Sequence, residues 1–195
     1  RLTAWGLAPA AADEALTRAV ETLGPALGAH LYGEGDTDLA AVVLQYLERR
    51  GEKLAVAESC TGGLVGERIT AIPGSSAVFV GGIVAYANEL KVRELGVPEG
   101  LMAEHGAVSE PVVRAMAAGI AQRFGTGAAL AVTGVAGPTG GTPDKPVGTV
   151  WLAANLRGEQ QAVRRQLLGG RDDIRRRAAQ AALDLLRGMA LRHLP

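Results

Sequence analysis

A chain of 195 residues in which twenty basic side chains are balanced by twenty acidic ones has room for one domain of the usual ~100–150 residues and an appendage, and excludes two full domains. Hydrophobic residues at 48% and charged residues at 21% describe a soluble globular protein without the one-signed field that draws proteins to nucleic acid or acidic membranes, and no apolar stretch approaches the roughly 20 residues of a membrane helix. A single cysteine, Cys60, excludes an internal disulfide framework and a cysteine-based zinc site, and with no basic leader ahead of an apolar core the expected compartment is the cytoplasm.

Residues 1–5 read as a strand, 11–27 as a helix and 29–32 as a second strand, closed by Gly33-Glu34-Gly35. Three elements of this size bury no core alone, so residues 1–35 are expected to be the end of a preceding module. The absence of an initiating Met suggests the carboxyl portion of a longer protein. Asp36 is a plausible N-cap for a helix reaching Arg50, with Leu39, Val42, Val43 and Leu47 at helical spacing. A buried strand over 54–57 runs into Glu58-Ser59-Cys60-Thr61-Gly62-Gly63, and a helix follows to Ile69. A β-rich run over 78–86 precedes a helix over 88–95, then a loop holding Pro98 and Gly100. Ser109 caps a helix over 110–124, where Pro111 sits in the first turn and is tolerated. A strand over 130–133 leads into a glycine-rich loop, and 147–155 with 161–168 alternate as an antiparallel pair. The last helix, 172–191, places Ile174, Ala178, Ala182, Leu185 and Met189 on one face. Strands alternating with helices, plus one hairpin, predict a three-layer α/β/α domain with a mixed sheet over 36–195.

Ligands of open α/β sheets bind beyond the carboxyl ends of strands, and three loops qualify. In the first, Ser59 is either a simple N-cap or a hydroxyl presented at a helix N-terminus whose amides would hold an oxyanion or phosphate. It is not flanked as the Gly-x-Ser-x-Gly elbow of the hydrolases. The second, Ala85 to Lys91, makes Asn88 a helix cap and places Lys91 in the first turn. There the positive helix end would favour the neutral amine, unless the lysine is merely exposed. Seventeen arginines accompany only three lysines, Lys53, Lys91 and Lys145; lysine, unlike arginine, gives up its proton in proteins. The third loop, Thr133 to Pro146, holds Asp144 and Lys145 and could wrap an anion or simply be a surface loop. Arg171 and Arg175, four apart on one helix face, could clamp a carboxylate or phosphate, while Arg176 and Arg177 read as solvent-facing. His105 could serve as a base, but His30, His105 and His193 are too scattered for a metal set, so no metal is expected. Cys60 is either a thiolate nucleophile or a small buried filler.

Read together, Leu54-Ala55-Val56-Ala57-Glu58-Ser59-Cys60-Thr61-Gly62-Gly63, Pro73-Gly74-Ser75-Ser76, Tyr86-Ala87-Asn88-Glu89-Leu90-Lys91, His105-Gly106-Ala107-Val108-Ser109-Glu110, Thr133-Gly134-Val135-Ala136-Gly137-Pro138 and Lys145-Pro146-Val147-Gly148-Thr149-Val150-Trp151 closely resemble the nicotinamide-nucleotide amidase family. This is the carboxyl-terminal domain of the CinA competence- and damage-inducible proteins. The resemblance runs in order from about Thr37 to Leu191. It implies hydrolysis of the carboxamide of nicotinamide mononucleotide to nicotinate mononucleotide and ammonia, with no cofactor and no metal. It assigns Ser59 as nucleophile, Lys91 as base and Tyr86 as assistant, with the amides of Cys60 and Thr61 as oxyanion donors. Substrate or phosphate contacts would fall to Ser75, Ser76, Ser109, Thr133, Gly137, Lys145 and Arg171. Residues 1–35 resemble the end of the linker that follows a pyrophosphatase-type domain in longer CinA proteins. The partners expected are the small-molecule substrate and further copies of the chain in a homodimer or larger homo-oligomer, with neither nucleic acid nor membrane. Two other readings stay open: a non-catalytic partner-binding module of a competence or damage-inducible protein, and an amidase acting on another pyridine nucleotide or small amide.

Overall fold

The computed structural model describes residues 2–192, which fall into two compact units divided between Asp36 and Thr37. In the first unit, α1 (Pro9–Leu27) starts with proline in its first turn and buries none of its residues; one 3-10 turn, Gly28–His30, follows. The strands expected over 1–5 and 29–32 are not formed among the described residues, Arg1 lying outside them. The first unit offers neither segment a partner strand, so no ladder closes there.

The second unit holds α2 (Leu39–Glu48), β1 (Leu54–Glu58), α3 (Leu64–Thr70), β2 (Phe79–Val84), α4 (Asn88–Leu95), α5 (Glu99–His105), α6 (Glu110–Phe124), β3 (Ala128–Gly134), β4 (Thr149–Leu156), β5 (Glu159–Gln166) and α7 (Arg171–Arg192). The cap of α2 is Asp38, two residues beyond the one expected: its carboxylate accepts from the Ala40 amide and from Arg68 on α3. The loop expected around Pro98 and Gly100 contains α5, for which Pro98 is the N-cap residue.

The sheet runs β2-β1-β3-β4-β5, with β2, β1 and β3 parallel, β4 antiparallel to β3, and β5 antiparallel to β4 across the hairpin. Every residue of β1 is buried, as for a strand covered on both faces. The two faces differ in bulk. Leu54, Val56, Leu130 and Leu152 meet α2, α3 and α7, whereas Ala55, Ala57, Ala129, Ala131 and Ala153 meet α4 and α6. The short alanine side chains let α6 lie close to the sheet. Helix α3 follows β1 on one face and α4 follows β2 on the other, so the carboxyl ends of neighbouring parallel strands open a crevice between diverging chains. No described helix is long and apolar enough to cross a membrane.

Candidate active site

A cavity of about 240 Å³ occupies that crevice. Ser59 and Cys60 enter from the β1–α3 turn, Tyr86, Asn88 and Lys91 from the start of α4, and Ala107 and Val108 from the strap before α6. Thr133, Gly134 and Ala136 close the β3 side, and Arg171 reaches in from the first residue of α7.

The β1–α3 turn is stitched to β3 by the Ser59 amide, which donates to the Val132 carbonyl at 2.9 Å, and closed by the Gly62 amide on the Ser59 carbonyl at 3.0 Å. Gly63 sits at φ 98°, a conformation other residues rarely adopt. The amides opening α3 are not free for an oxyanion or phosphate. The buried Glu58 carboxylate accepts from Gly63 and Val65 through Oε2, both at 3.0 Å, and from Gly66 through Oε1 at 2.8 Å. That corrects the sequence reading of this helix end: the chain supplies its own anion. The main-chain amides of Cys60 and Thr61, one residue short of that network, donate to no main-chain carbonyl among the described residues. The Ser59 side chain, 8% exposed, makes no hydrogen bond among them either.

Lys91 is 1% exposed, and its Nζ donates to the carbonyls of Ala85 at 2.9 Å and Tyr86 at 3.3 Å. Desolvation by burial lowers its pKa, against an opposing pull from Cys60 and Glu89. A neutral amine has two N–H groups, and two carbonyls receive them, which leaves its lone pair unclaimed by this pair. The cap position of α4 is Ala87; Asn88 is the first helical residue and lines the cavity instead. Tyr86 stands at the rim, 57% exposed, and its hydroxyl accepts from Nη2 of Arg171 at 2.8 Å. The other arm of that guanidinium donates to the Gly137 carbonyl at 2.7 Å. Arg175 does not join the clamp: it holds the Thr61 carbonyl at 2.9 Å, bracing the turn from outside the cavity.

Cys60 is buried, and its thiol is pushed up to about 12, first by desolvation and further by the charge of Glu58. It is therefore a thiol, not a thiolate, near neutral pH. His105 ends α5 off the cavity wall, 3.6 Å from the Glu104 carboxylate; His193 lies outside the described residues. Among those described, no three His, Cys, Asp or Glu side chains gather as a metal-binding group.

Three expected contact residues converge on one strap. Lys145 Nζ donates to the His105 carbonyl at 2.7 Å, Ser109 Oγ to that of Gly106 at 2.7 Å, and Thr133 Oγ1 to that of Ala107 at 2.9 Å. Successive carbonyls are thus tied down while Ala107 and Val108 face the cavity. Ser75 and Ser76 occupy a single 3-10 turn before β2, at the amino end of the parallel strands and off the cavity wall. The structure therefore gathers Ser59, Cys60, Lys91, Tyr86, Thr133 and Arg171 around the cavity, sets Thr61 and Gly137 immediately behind it, and leaves Ser75, Ser76, Ser109 and Lys145 off its wall. Asn88 and Val108 were absent from the sequence-derived set. Asn88 carried a signal, its place one helical turn before Lys91; Val108 stood inside the motif from His105 to Glu110, but an apolar side chain there has no chemistry of its own to single it out.

The sequence profile of the CinA C-terminal domain matches residues 36–190. A CinA-like protein of Gemmatimonas aurantiaca is 60% identical over 187 residues, which is 96% of this chain and 44% of that one. One of Dictyoglomus thermophilum is 44% identical over 187 residues, 96% of this chain and 46% of that one. The chain thus spans less than half the length of these curated relatives. Among solved structures, the competence damage-inducible protein A of Klebsiella pneumoniae superposes with a TM-score of 0.77 at 38% identity, covering 80% of this chain and 97% of that one. The competence/damage inducible protein CihA of Agrobacterium tumefaciens gives 0.75 at 40% identity, covering 77% and 93%.

Proposed function

Because the chain belongs to the CinA C-terminal domain family, we propose that it hydrolyses the carboxamide of nicotinamide mononucleotide to nicotinate mononucleotide and ammonia by a serine–lysine mechanism. The observation that carries this reading is the meeting of Ser59, Tyr86 and a buried Lys91 biased toward its neutral form in one cavity. Acyl transfer requires a hydroxyl and an amine able to accept its proton in one pocket, and Ser59 and Lys91 line the same one.

In this reading Ser59 Oγ attacks the carboxamide carbon as its proton passes to Lys91 Nζ. The negative oxygen that forms is held by the amides of Cys60 and Thr61. Lys91 then returns the proton to the departing nitrogen, ammonia leaves, and a nicotinoyl ester remains on Ser59. Water attacks that ester with Lys91 again taking a proton, which it hands to Oγ as the C–Oγ bond breaks; the serine hydroxyl is restored, and the acid departs as its carboxylate, its proton passing to solvent. Tyr86, whose oxygen already accepts from Arg171, keeps its own proton to donate into the cavity. Arg171 is the cation proposed for the 5′-phosphate, since it lines the cavity and charge-assisted contacts are roughly twice as strong as neutral ones. The test compares nicotinamide mononucleotide with its riboside and free nicotinamide. The nucleotide is expected to be cleaved with much the highest kcat/KM; comparable values for free nicotinamide would refute the assignment.

A further inference from the structure

The residue next to the proposed nucleophile performs an unusual task. Glu58 is the last residue of β1, 2% exposed, and its side chain bends past the Ser59–Gly62 turn to collect three amides of the next helix. Oε2 is shared by Gly63 and Val65 and Oε1 takes Gly66, so both carboxylate oxygens are committed to the helix start. Its main chain belongs to β1, where Glu58 pairs with Val84 of β2 and Val132 of β3. One residue thus binds the strand end to the helix start across the four-residue turn that contains Ser59, Cys60 and Thr61.

We propose that Glu58 is the positioning residue of the site: by holding the amides of Gly63, Val65 and Gly66 it sets the turn so that Ser59 and Cys60 line the cavity. The carboxylate has a second effect on the same ground. With the helix start already carrying an anion, a substrate phosphate finds no vacant donors there and must be bound elsewhere in the cavity. The arrangement demands a carboxylate. Glutamine has the same shape, but its amide nitrogen is a donor and would confront an N–H group at one of the three bonds. Aspartate keeps the charge on an arm one methylene shorter, which cannot span the turn to all three amides.

A misplacement of about 1 Å in a nucleophile's surroundings costs on the order of 100-fold in rate. Glu58→Gln is therefore expected to lower kcat on nicotinamide mononucleotide about 100-fold while KM stays within about threefold, because the mouth of the cavity is built by other segments. Ile69→Ala, a cavity-forming change in the same helix away from the three held amides, serves as the stability control: at a similar loss of Tm it should keep kcat. The kcat measurement rests on the amidase reading, so Ser59 reactivity toward a fluorophosphonate is measured in parallel. That probe phosphonylates the hydroxyl with loss of fluoride and needs no nicotinamide substrate. Slower labelling of Glu58→Gln than of Ile69→Ala supports the proposal even if the wild-type protein leaves the nucleotide intact, an outcome that would count against the substrate alone. Equal kcat in Glu58→Gln and wild type, losses in both variants that simply track Tm, or equal labelling rates would overturn it. So would a wild-type Ser59 that neither reacts with the probe nor turns over the nucleotide. If Glu58→Gln does not accumulate folded, Glu58→Asp is read by the same criteria.

Discussion

A lysine inside a protein costs stability whenever it is charged, and Lys91 is a direct case. Its native pKa lies below the ordinary lysine value because burial disfavours the ammonium. Between the depressed native value and the ordinary unfolded one, the unfolded chain binds the extra proton, so stability rises with pH across that window. Below it the full penalty applies. Lys91→Met removes the titrating group, at the constant cost of the bonds to the Ala85 and Tyr86 carbonyls. Thermal melts of both proteins over a pH series should therefore show the methionine variant at its best relative to wild type at neutral and lower pH. That relative gain should shrink as pH climbs toward the ordinary lysine range. A difference that is flat in pH, or that moves the other way, would mean Lys91 is charged in the native protein. Lys91→Arg tests the same group by chemistry: arginine carries the charge but accepts no proton, so the variant should lose nearly all turnover.

At the scale of elements, the lysine is only as well placed as α4, and α4 is set by its contact with α6. Gly119 lies where the two helices touch: a Cβ there would stand 1.8 Å from the Leu95 carbonyl oxygen, a backbone atom that no rotamer change can move away. Gly119→Ala should destabilise the protein by about 1–3 kcal/mol or more through overpacking and should cost activity beyond that, since α4 carries Lys91. Denaturant melts with parallel assays measure both; an alanine variant as stable and active as wild type would show that the helices have room to part. Helices α4 and α6 begin and end where periodicity and the Ser109-x-Pro111 start put them, because their apolar spacing and glycine stops are local signals. Helix α5 was read as a loop because Pro98 and Gly100 look like breakers, although proline at the cap position of a short helix is well tolerated. The same limit explains the site. Ser59, Tyr86 and Lys91 were legible through motifs, but the acceptors of Ser109, Thr133 and Lys145 are the main-chain carbonyls of residues 105–107. A carbonyl has no signature in a sequence, so donors that tie down a strap looked like donors awaiting a substrate. Glu58 was hidden for the same reason: its partners are three amides.

For the whole molecule, both hydrophobic clusters of the second unit are built from residues of Leu39 onward, and α1 buries none of its own side chains. A protein beginning at Thr37 should accordingly fold cooperatively and keep its activity; loss of the melting transition on truncation would show that the first unit completes the core. The proposed amidase chemistry of this crevice is expected to be driven by Ser59 and not by its neighbour Cys60. The most direct measurement is ammonia and nicotinate mononucleotide released from nicotinamide mononucleotide by the wild-type protein, Ser59→Ala and Cys60→Ala. Release by the wild type, its near-complete loss in Ser59→Ala and its retention in Cys60→Ala are the predicted results. No release by a folded wild type, or activity kept in Ser59→Ala and lost in Cys60→Ala, would contradict the account.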